Sequence, residues 1–247
     1  MSSAAVTYVG GPTAIIEWAG LCLLTDPTFD EPQVYPDPDG TPLVKTHGPG
    51  IAIDELGTID VVLLSHHEHE DNLDISGATL LTDTLLTGTV LSTPEAAADL
   101  GVTGLAPWSQ FELGAVTITA VPALHGPPGC ERYMGTVTGF VLEAAGEPTV
   151  YVSGDNASLD CVREIAARFA SIDIAVLFAG AARVPSIDAP LTLTSADAVT
   201  AAAILNATHV VGLHTEDWEH FSESRAQLEQ AFAGALTNTP RGVRVQL

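Results

Sequence analysis

A buried strand that ends in a cluster of histidines and acids is the feature that most constrains this chain. Residues 59–65 form a nearly continuous apolar run, which is typical of a strand covered on both faces of a sheet. The chain then passes directly into the sequence S-H-H-E-H-E-D-N at positions 65–72. His67 and His69, two residues apart, are predicted to project to the same side, with Asp71 nearby as an oxygen ligand. Two imidazoles from one tight turn suit zinc and similar metals.

The same cluster also fits a purely structural role. Glu68, Glu70 and Asp71 are acids that the helix dipole favours at a solvated helix start. What favours the metal site is the rest of the chain, because three more predicted strands end close to a metal-type ligand. His125 follows a strand predicted at 115–121, Asp155 one at 149–153 and His214 one at 209–213. Each residue alone is ordinary, but together the four strand ends predict one metal site.

Composition limits the partners and the location that we expect. There are 31 acidic and 8 basic residues, a net charge of −23. Such a field repels nucleic acid and anionic membranes and slows highly charged anionic substrates, so it argues against a nuclease. Neither an apolar run of membrane-spanning length nor a signal-peptide pattern occurs, which predicts a cytoplasmic protein. Either a saline cytoplasm or drift in composition would explain the acidity.

The three cysteines do not form a site pattern. Cys22, Cys130 and Cys161 lie far apart and make no C-x-x-C motif. We therefore expect neither a disulfide framework nor a thiolate zinc site, but small apolar side chains in a reducing compartment.

The length of 247 residues suits one α/β domain covering residues 1–247. A strand-rich first part is followed by strands alternating with helices, which predicts β layers enclosed by helices. The four predicted helices are 94–100, 159–169, 195–205 and 223–233. Residues 29–50 carry five prolines and no periodicity, which predicts a long loop that serves as a lid or binding element.

Five ordered motifs resemble the metallo-β-lactamase superfamily, and within it the branch of L-ascorbate-6-phosphate lactonase and related metal-dependent hydrolases. In this sequence they are Leu24-Thr25-Asp26-Pro27, His67-x-His69-x-Asp71-Asn72 against the family pattern H-x-H-x-D-H, His125-Gly126, Ser153-Gly154-Asp155, and His214. The resemblance covers nearly the whole chain. It implies a four-layer αββα sandwich of two halves, roughly 1–145 and 146–247, with metals at one edge of the sheets.

The resemblance also implies a ligand set, with one departure from the family. His67, His69 and His125 would hold a first metal, Asp71 and His214 a second, Asp155 would bridge them, and Asp26 would support the site. Asn72 stands where the family has a histidine, and its amide is a weaker zinc ligand than imidazole. His66 is the nearest residue to compensate, although a supporting hydrogen bond or simple packing in the turn fits it as well.

The expected activity is hydrolysis of a small ester, lactone or phosphodiester by a metal-activated water. One or two zinc ions are the expected cofactors, with manganese or iron as alternatives. Asp71 would orient or deprotonate the water. Two other functions stay open: an iron-binding redox or oxygen-handling protein of the same fold, and a catalytically silent metal-binding protein. The chain lacks a G-x-S-x-G elbow, a P-loop and a G-x-G-x-x-G fingerprint.

A few residues are predicted to contact a small-molecule substrate. Arg183 follows a predicted strand and is expected to anchor a carboxylate or phosphate, although an exposed loop arginine is an equal alternative. Trp218 and Tyr35 are expected to border the pocket, and His220 to donate a proton. Aromatic packing is the competing interpretation for Trp218. No pattern decides whether protomers form a homo-oligomer.

Overall fold

The computed structural model of the protein describes residues 4–36, 41–82 and 86–247. The strands in these ranges are β1 (Ala5–Gly10), β2 (Thr13–Trp18), β3 (Leu21–Thr25), β4 (Gln33–Tyr35), β5 (Leu43–Lys45), β6 (Ile59–Leu63), β7 (Leu86–Ser92), β8 (Thr103–Gly104), β9 (Gln110–Leu113), β10 (Val116–Pro122), β11 (Thr138–Ala144), β12 (Val150–Val152), β13 (Ile174–Phe178), β14 (His209–Leu213) and β15 (Arg244–Gln246). The α-helices are α1 (Ile75–Leu80), α2 (Pro94–Leu100), α3 (Glu131–Met134), α4 (Leu159–Arg168), α5 (Ser195–Leu205) and α6 (Arg225–Phe232). None of the described helices is long and apolar enough to cross a membrane.

The strands form two large sheets and one small hairpin. The first sheet has the order β15-β1-β2-β3-β6-β7-β8, the second β14-β13-β12-β11-β10-β9, and β4 pairs with β5. Strands β3, β6 and β7 are parallel neighbours, as are β12, β13 and β14. The division between the sheets therefore falls between β8 and β9, not near residue 145, and the C-terminal β15 returns to the first sheet.

The two sheets pack face to face. Their inner faces form one hydrophobic cluster that takes Ile16 and Leu63 from the first sheet and Phe140 and Phe178 from the second. Alternating side chains of these strands therefore enter the same core, as the two-residue period of a strand requires. Full burial of each such side chain contributes about 1.5–3 kcal/mol to stability.

Helices cover the outer face of each sheet. Ile165 of α4, Ala198 of α5 and Leu228 of α6 pack against the second sheet, and Leu80 of α1 packs against the first. The predicted four-layer αββα sandwich is confirmed. Capping threonines precede two of the helices, since the side chain of Thr93 accepts a hydrogen bond from Ala96 N and that of Thr194 accepts one from Asp197 N.

The segment at 29–50 differs from the loop that the sequence predicts. It contains the β4–β5 hairpin, whose strands have three residues each and pair with each other, and Lys45 of β5 also forms a bridge with Trp218. Backbone bonds from Thr46 N to Asp217 O and from Glu219 N to Val44 O attach it to the segment after β14. The bonds that hold the hairpin in place come from residues far away in the sequence, and such contacts leave no local periodicity. The sequence therefore did not indicate the hairpin.

Candidate metal centre

Four strand ends meet at one edge of the sandwich. The chain leaves β6 into His66, β10 towards His125, β12 towards Asp155 and β14 directly into His214. A glycine is required before Asp155, because Gly154 has φ +55° and a Cβ there would lie 2.6 Å from Thr138 O. The sequence prediction that these strand ends converge is matched by the structure.

The first group of possible ligands, the triple-histidine cluster, consists of His66, His69 and His125. Their ligand atoms all lie within 4.8 Å of one another. Nε2 of His66 lies 2.9 Å from Nδ1 of His69. His66 and His125 are buried, whereas His69 reaches the surface of a pocket.

Hydrogen bonds on the side of the rings away from the cluster fix the orientation of His125 and His66. Nδ1–H of His125 donates to Leu191 O at 2.8 Å, which leaves Nε2 as the free lone pair. His66 Nδ1 lies 3.0 Å from the Ser65 hydroxyl. Burial lowers the pKa of His125 to about 3 and holds the pKa of His66 well below its usual value. Both rings are therefore neutral, which is the form that ligates metal.

Asp26 supports this arrangement from beneath. Its Oδ1 accepts hydrogen bonds from both the backbone N and the hydroxyl of Ser65, each at 2.8 Å. The Ser65 hydroxyl therefore donates its proton to Asp26, and its oxygen accepts a hydrogen bond from Nδ1–H of His66. Burial raises the pKa of Asp26 to about 8. Asp26 thus lies behind the triple-histidine cluster, and its support of a metal site stays a prediction.

The second group, the acidic cluster, consists of Asp71, Asp155 and His214, all buried. His214 Nε2 lies 3.2 Å from Asp71 Oδ2, and its Nδ1 lies 3.3 Å from Asp155 Oδ1. The contact between His125 Nε2 and Asp155 Oδ2, at 3.6 Å, joins the two clusters. Asp155 therefore lies between the two clusters, and its role as a bridging ligand stays a prediction.

The polar atoms of the acidic cluster are poorly satisfied by the protein. Both ring nitrogens of His214 and Oδ2 of Asp155 are buried without a hydrogen bond of acceptable geometry. Burial raises the pKa of Asp155 well above its usual value, and the charges of Asp71 and Asp26 add to this. Unsatisfied buried polar atoms are costly. A cation among these donors would satisfy them, and imidazole nitrogens with carboxylate oxygens suit zinc, iron and manganese.

His67 lies outside the site, which corrects the predicted ligand set. Its Nε2 lies 2.9 Å from Oδ2 of Asp99 on α2, and its Nδ1 lies 3.3 Å from Glu68 Oε2. The prediction applied the two-residue period of a strand, but β6 ends at Leu63 and the backbone bends at residues 67–69. In a turn of this kind residues three apart share a side. His66 therefore takes the place predicted for His67.

Asn72 is buried and contacts the carboxylates. Its amide nitrogen lies 3.3 Å from Asp155 Oδ1 and 3.4 Å from the Ser65 hydroxyl. Its Oδ1 is buried without a hydrogen-bond partner. Asn72 thus helps to hold Asp155 in place, and its role as a metal ligand through Oδ1 stays a prediction.

His220 lies on the pocket side of the acidic cluster. Its Nε2 is 3.0 Å from Asp71 Oδ2. Burial raises the pKa of Asp71, but the charge of His220 and the close imidazole nitrogens of His214 and His220 outweigh burial and hold the pKa well below its usual value. The role of His220 as a proton donor stays a prediction.

A pocket of about 740 Å³ opens over both clusters. His69, Asp71, His125 and His220 form its floor. The other lining residues are Thr41, Leu43, Tyr133, Met134, Ala182, Val184, Pro185, Ser186, Ile187 and Leu191. Sequence analysis identified none of these ten, because they come from α3, the hairpin and an irregular loop, which carry no local pattern for a pocket.

The predicted substrate-contacting residues Tyr35 and Trp218 are not among the lining residues. Their rings pack together with centroids 5.5 Å apart, and both are buried. The Tyr35 hydroxyl donates to Asp30 Oδ2 at 2.7 Å. The prediction of pocket contact is wrong for both, because the hairpin packs Tyr35 inwards against the segment that carries Trp218.

Arg183 is also absent from the lining residues. Its side chain is exposed, and its backbone N donates to His220 O at 2.9 Å. The residues on either side of it, Ala182 and Val184, do line the pocket. Arg183 thus lies at the mouth, and anchoring of an anion by its side chain stays a prediction.

Comparison with known proteins identifies the family. The family model described as "Beta-lactamase superfamily domain" matches residues 22–215. A curated protein of Xanthobacter autotrophicus named "UPF0173 metal-dependent hydrolase" is 27% identical over 162 residues, which cover 61% of this chain and 61% of that protein. The matched region is thus less than two thirds of that relative's length.

Two solved structures share the fold over nearly the whole chain. A possible metal-dependent hydrolase from Veillonella parvula superposes with a TM-score of 0.84 at 17% identity, over 99% of this chain and 100% of the other. An isothiocyanate hydrolase from Delia radicum gut bacteria superposes with a TM-score of 0.80 at 19% identity, over 98% of each chain. At such low identity these likenesses establish the fold alone.

Proposed function

The chain belongs to the β-lactamase superfamily, and from this premise we propose that it is a metal-dependent hydrolase of a small ester, lactone or phosphodiester. The observation that carries the proposal is that two groups of metal-type ligands lie side by side beneath one pocket. The curated relative is also named a metal-dependent hydrolase. The finer assignment to a lactonase branch is part of the proposal.

The two clusters would hold the metal ions. His66, His69 and His125 would hold the first, and Asp71, Asp155 and His214 the second. Zinc is the proposed metal, since it accepts this mixture of imidazole and carboxylate ligands, with manganese and iron as alternatives. When bound, the metal supplies Lewis-acid activation of water and of the scissile carbonyl or phosphoryl group.

Two side chains of the protein would orient the attacking water and donate a proton to the leaving group. Asp71 stays ionised because its pKa is held low, so it orients the attacking water through an acceptor oxygen. Nε2 of His220 contacts the same carboxylate from the pocket side, where a leaving group would sit. His220 is the proposed proton donor to that group.

The backbone holds His214 in a restricted position. His214 has φ +58°, and its backbone N donates to Gly11 O at 2.7 Å. A Cβ at Gly180 would lie 2.0 Å from His214 O, so the neighbouring segment packs directly against it. Such non-glycine conformations cost about 1–3 kcal/mol and are kept where the surroundings determine them, often at functional sites. This supports His214 as a preorganised ligand.

The experiment is a substrate screen of the protein loaded separately with zinc, manganese or ferrous iron. We expect hydrolysis of at least one neutral ester, lactone or phosphodiester, abolished by a chelator and by His66→Ala. His47→Ala, which changes an exposed histidine, is the matched control and should keep full activity. A metal-loaded protein that hydrolyses no substrate of the three classes would contradict the proposal and leave the silent metal-binding function in its place.

A further inference from the structure

The upper part of the pocket has a hydrophobic cluster of its own. Met134, Ala182 and Leu191 are buried in it, and Val184 and Ile187 pack against it. All five residues also line the pocket above the metal-binding groups. The cluster therefore gives part of the pocket an apolar lining.

Charge in the pocket is confined to its floor. Among the described residues that line it, none is a lysine or an arginine. Arg132 and Arg183 adjoin lining residues in sequence, but neither side chain lines the pocket. Asp71 on the floor and Asp155 in the acidic cluster behind it would offset half of the charge of two divalent ions bound there. Among the described lining residues, neither a lysine nor an arginine is available for oxygens of an anionic substrate that lie away from the metal positions.

We propose that the part of the substrate that fills the pocket is uncharged and apolar, so that the protein hydrolyses esters or lactones of aliphatic or aromatic acids and discriminates against phosphodiesters. This inference rests on the hydrolase function proposed above. Apolar groups gain from burial against the cluster, whereas charged oxygens that do not reach the metal positions are buried there without a basic partner and are penalised. The net charge of −23 also repels anionic substrates as they approach the protein.

Binding tests the inference without turnover. Straight-chain amides from acetamide to octanamide, titrated calorimetrically into the zinc-loaded protein, are uncharged probes that resist hydrolysis. We expect the dissociation constant to tighten by up to about fourfold per added methylene until the pocket is full. Dimethyl phosphate, a monoanion of similar size to the short amides, should bind at least about tenfold more weakly than butanamide. A flat amide series, or equal binding of dimethyl phosphate, would overturn the inference.

Variants assign the effect to the pocket. Ile187→Asp places a charge in the apolar lining and should weaken hexanamide binding by about tenfold or more. Val184→Asp repeats the test at a second position. Val243→Asp is the matched control, because Val243 is 49% exposed and does not line the pocket. Unchanged hexanamide binding in both pocket variants would contradict the inference.

Hydrolysis separates this inference from the function on which it rests. Rates with 4-nitrophenyl acetate, butyrate and hexanoate should rise with acyl length, and bis(4-nitrophenyl) phosphate should be the slowest substrate. Ester hydrolysis without any length dependence would overturn the inference while the hydrolase function stands. Length-dependent amide binding without hydrolysis of any ester or lactone would contradict the function and leave the apolar binding site established.

Discussion

His220 Nε2 lies 3.0 Å from Asp71 Oδ2, which joins the segment after β14 to the turn after β6 across the floor of the pocket. The two residues are 149 positions apart in the chain. Their contact puts an imidazole ring between a carboxylate of the acidic cluster and the pocket. A group placed there can act on the leaving group without itself being part of either ligand cluster.

Replacement of His220 by Asn should separate proton transfer from metal binding. We expect kcat of the His220→Asn enzyme to fall by about 10²-fold or more, because general acid catalysis contributes on that scale. Metal content should be unchanged, since His220 belongs to neither cluster. Steady-state kinetics and elemental analysis check both points, with His47→Asn as the control. Wild-type kcat or loss of metal in His220→Asn would contradict the assigned role.

Replacement of Arg183 by Ala should have little effect on neutral substrates. The side chain is exposed and does not line the pocket, so kcat/KM for a neutral ester should change by less than about twofold, as is usual for surface substitutions. The measurement is steady-state hydrolysis of 4-nitrophenyl butyrate. A loss of tenfold or more would show that Arg183 anchors substrate after all.

Replacement of Lys45 by Met should destabilise the hairpin that contributes Leu43 to the pocket lining. Lys45 Nζ pairs with Asp74 Oδ2 at 2.8 Å, and the two side chains are 2% and 0% exposed. Removing one partner leaves a buried carboxylate uncompensated, which costs about 3–5 kcal/mol. Urea denaturation measures the free energy of unfolding. Lys45→Met combined with Asp74→Asn should recover part of the loss, and a loss below about 1 kcal/mol in Lys45→Met would refute this account.

Asp30 should make stability depend on pH in the acid range. Burial raises its pKa, but hydrogen bonds from Ser76, Tyr35 and the backbone of Ile75 outweigh burial and hold the pKa below its usual value. A lowered folded pKa gives stability that is present above the unfolded pKa of about 4 and is lost as pH falls through the folded value.

The Asp30→Asn variant tests this contribution. At pH 7 it should be less stable than wild type by about 1–3 kcal/mol, because several hydrogen bonds to a charged group are weakened. The difference should shrink as pH falls below about 4, where the wild-type carboxylate takes up a proton. Urea denaturation at pH 7 and pH 3 gives both values, and an equal difference at the two pH values would rule the explanation out.

The layers and the strand ends could be predicted because their signals are local. The apolar run before His66, the two-residue alternation of the strands and the capping threonines of α2 and α5 all act within a few residues. The hairpin and the pocket could not be predicted in the same way. Lys45 meets Asp74 and Tyr35 meets Trp218 only after the chain has folded, so neither pair leaves a local pattern.

The choice of histidine ligands depends on the backbone geometry that is assumed for the chain after β6. His66, His67 and His69 are close enough in sequence that any two could share a side. Extended geometry selects His67 with His69, but the turn after β6 selects His66 with His69. Sequence spacing alone does not specify the turn. Asp26, which follows β3, accepts a hydrogen bond from Ser65 N at the start of this turn.

The most direct test of this account is the metal content of His66→Ala beside that of His67→Ala, measured by elemental mass spectrometry after zinc loading. His66→Ala should lose about one zinc ion per chain relative to wild type, because it removes one ligand of the triple-histidine cluster. His67→Ala should keep the wild-type content, because His67 contacts Asp99 at the surface. Loss of zinc in His67→Ala with retention in His66→Ala would contradict the site described and restore the ligand set that the sequence spacing predicts.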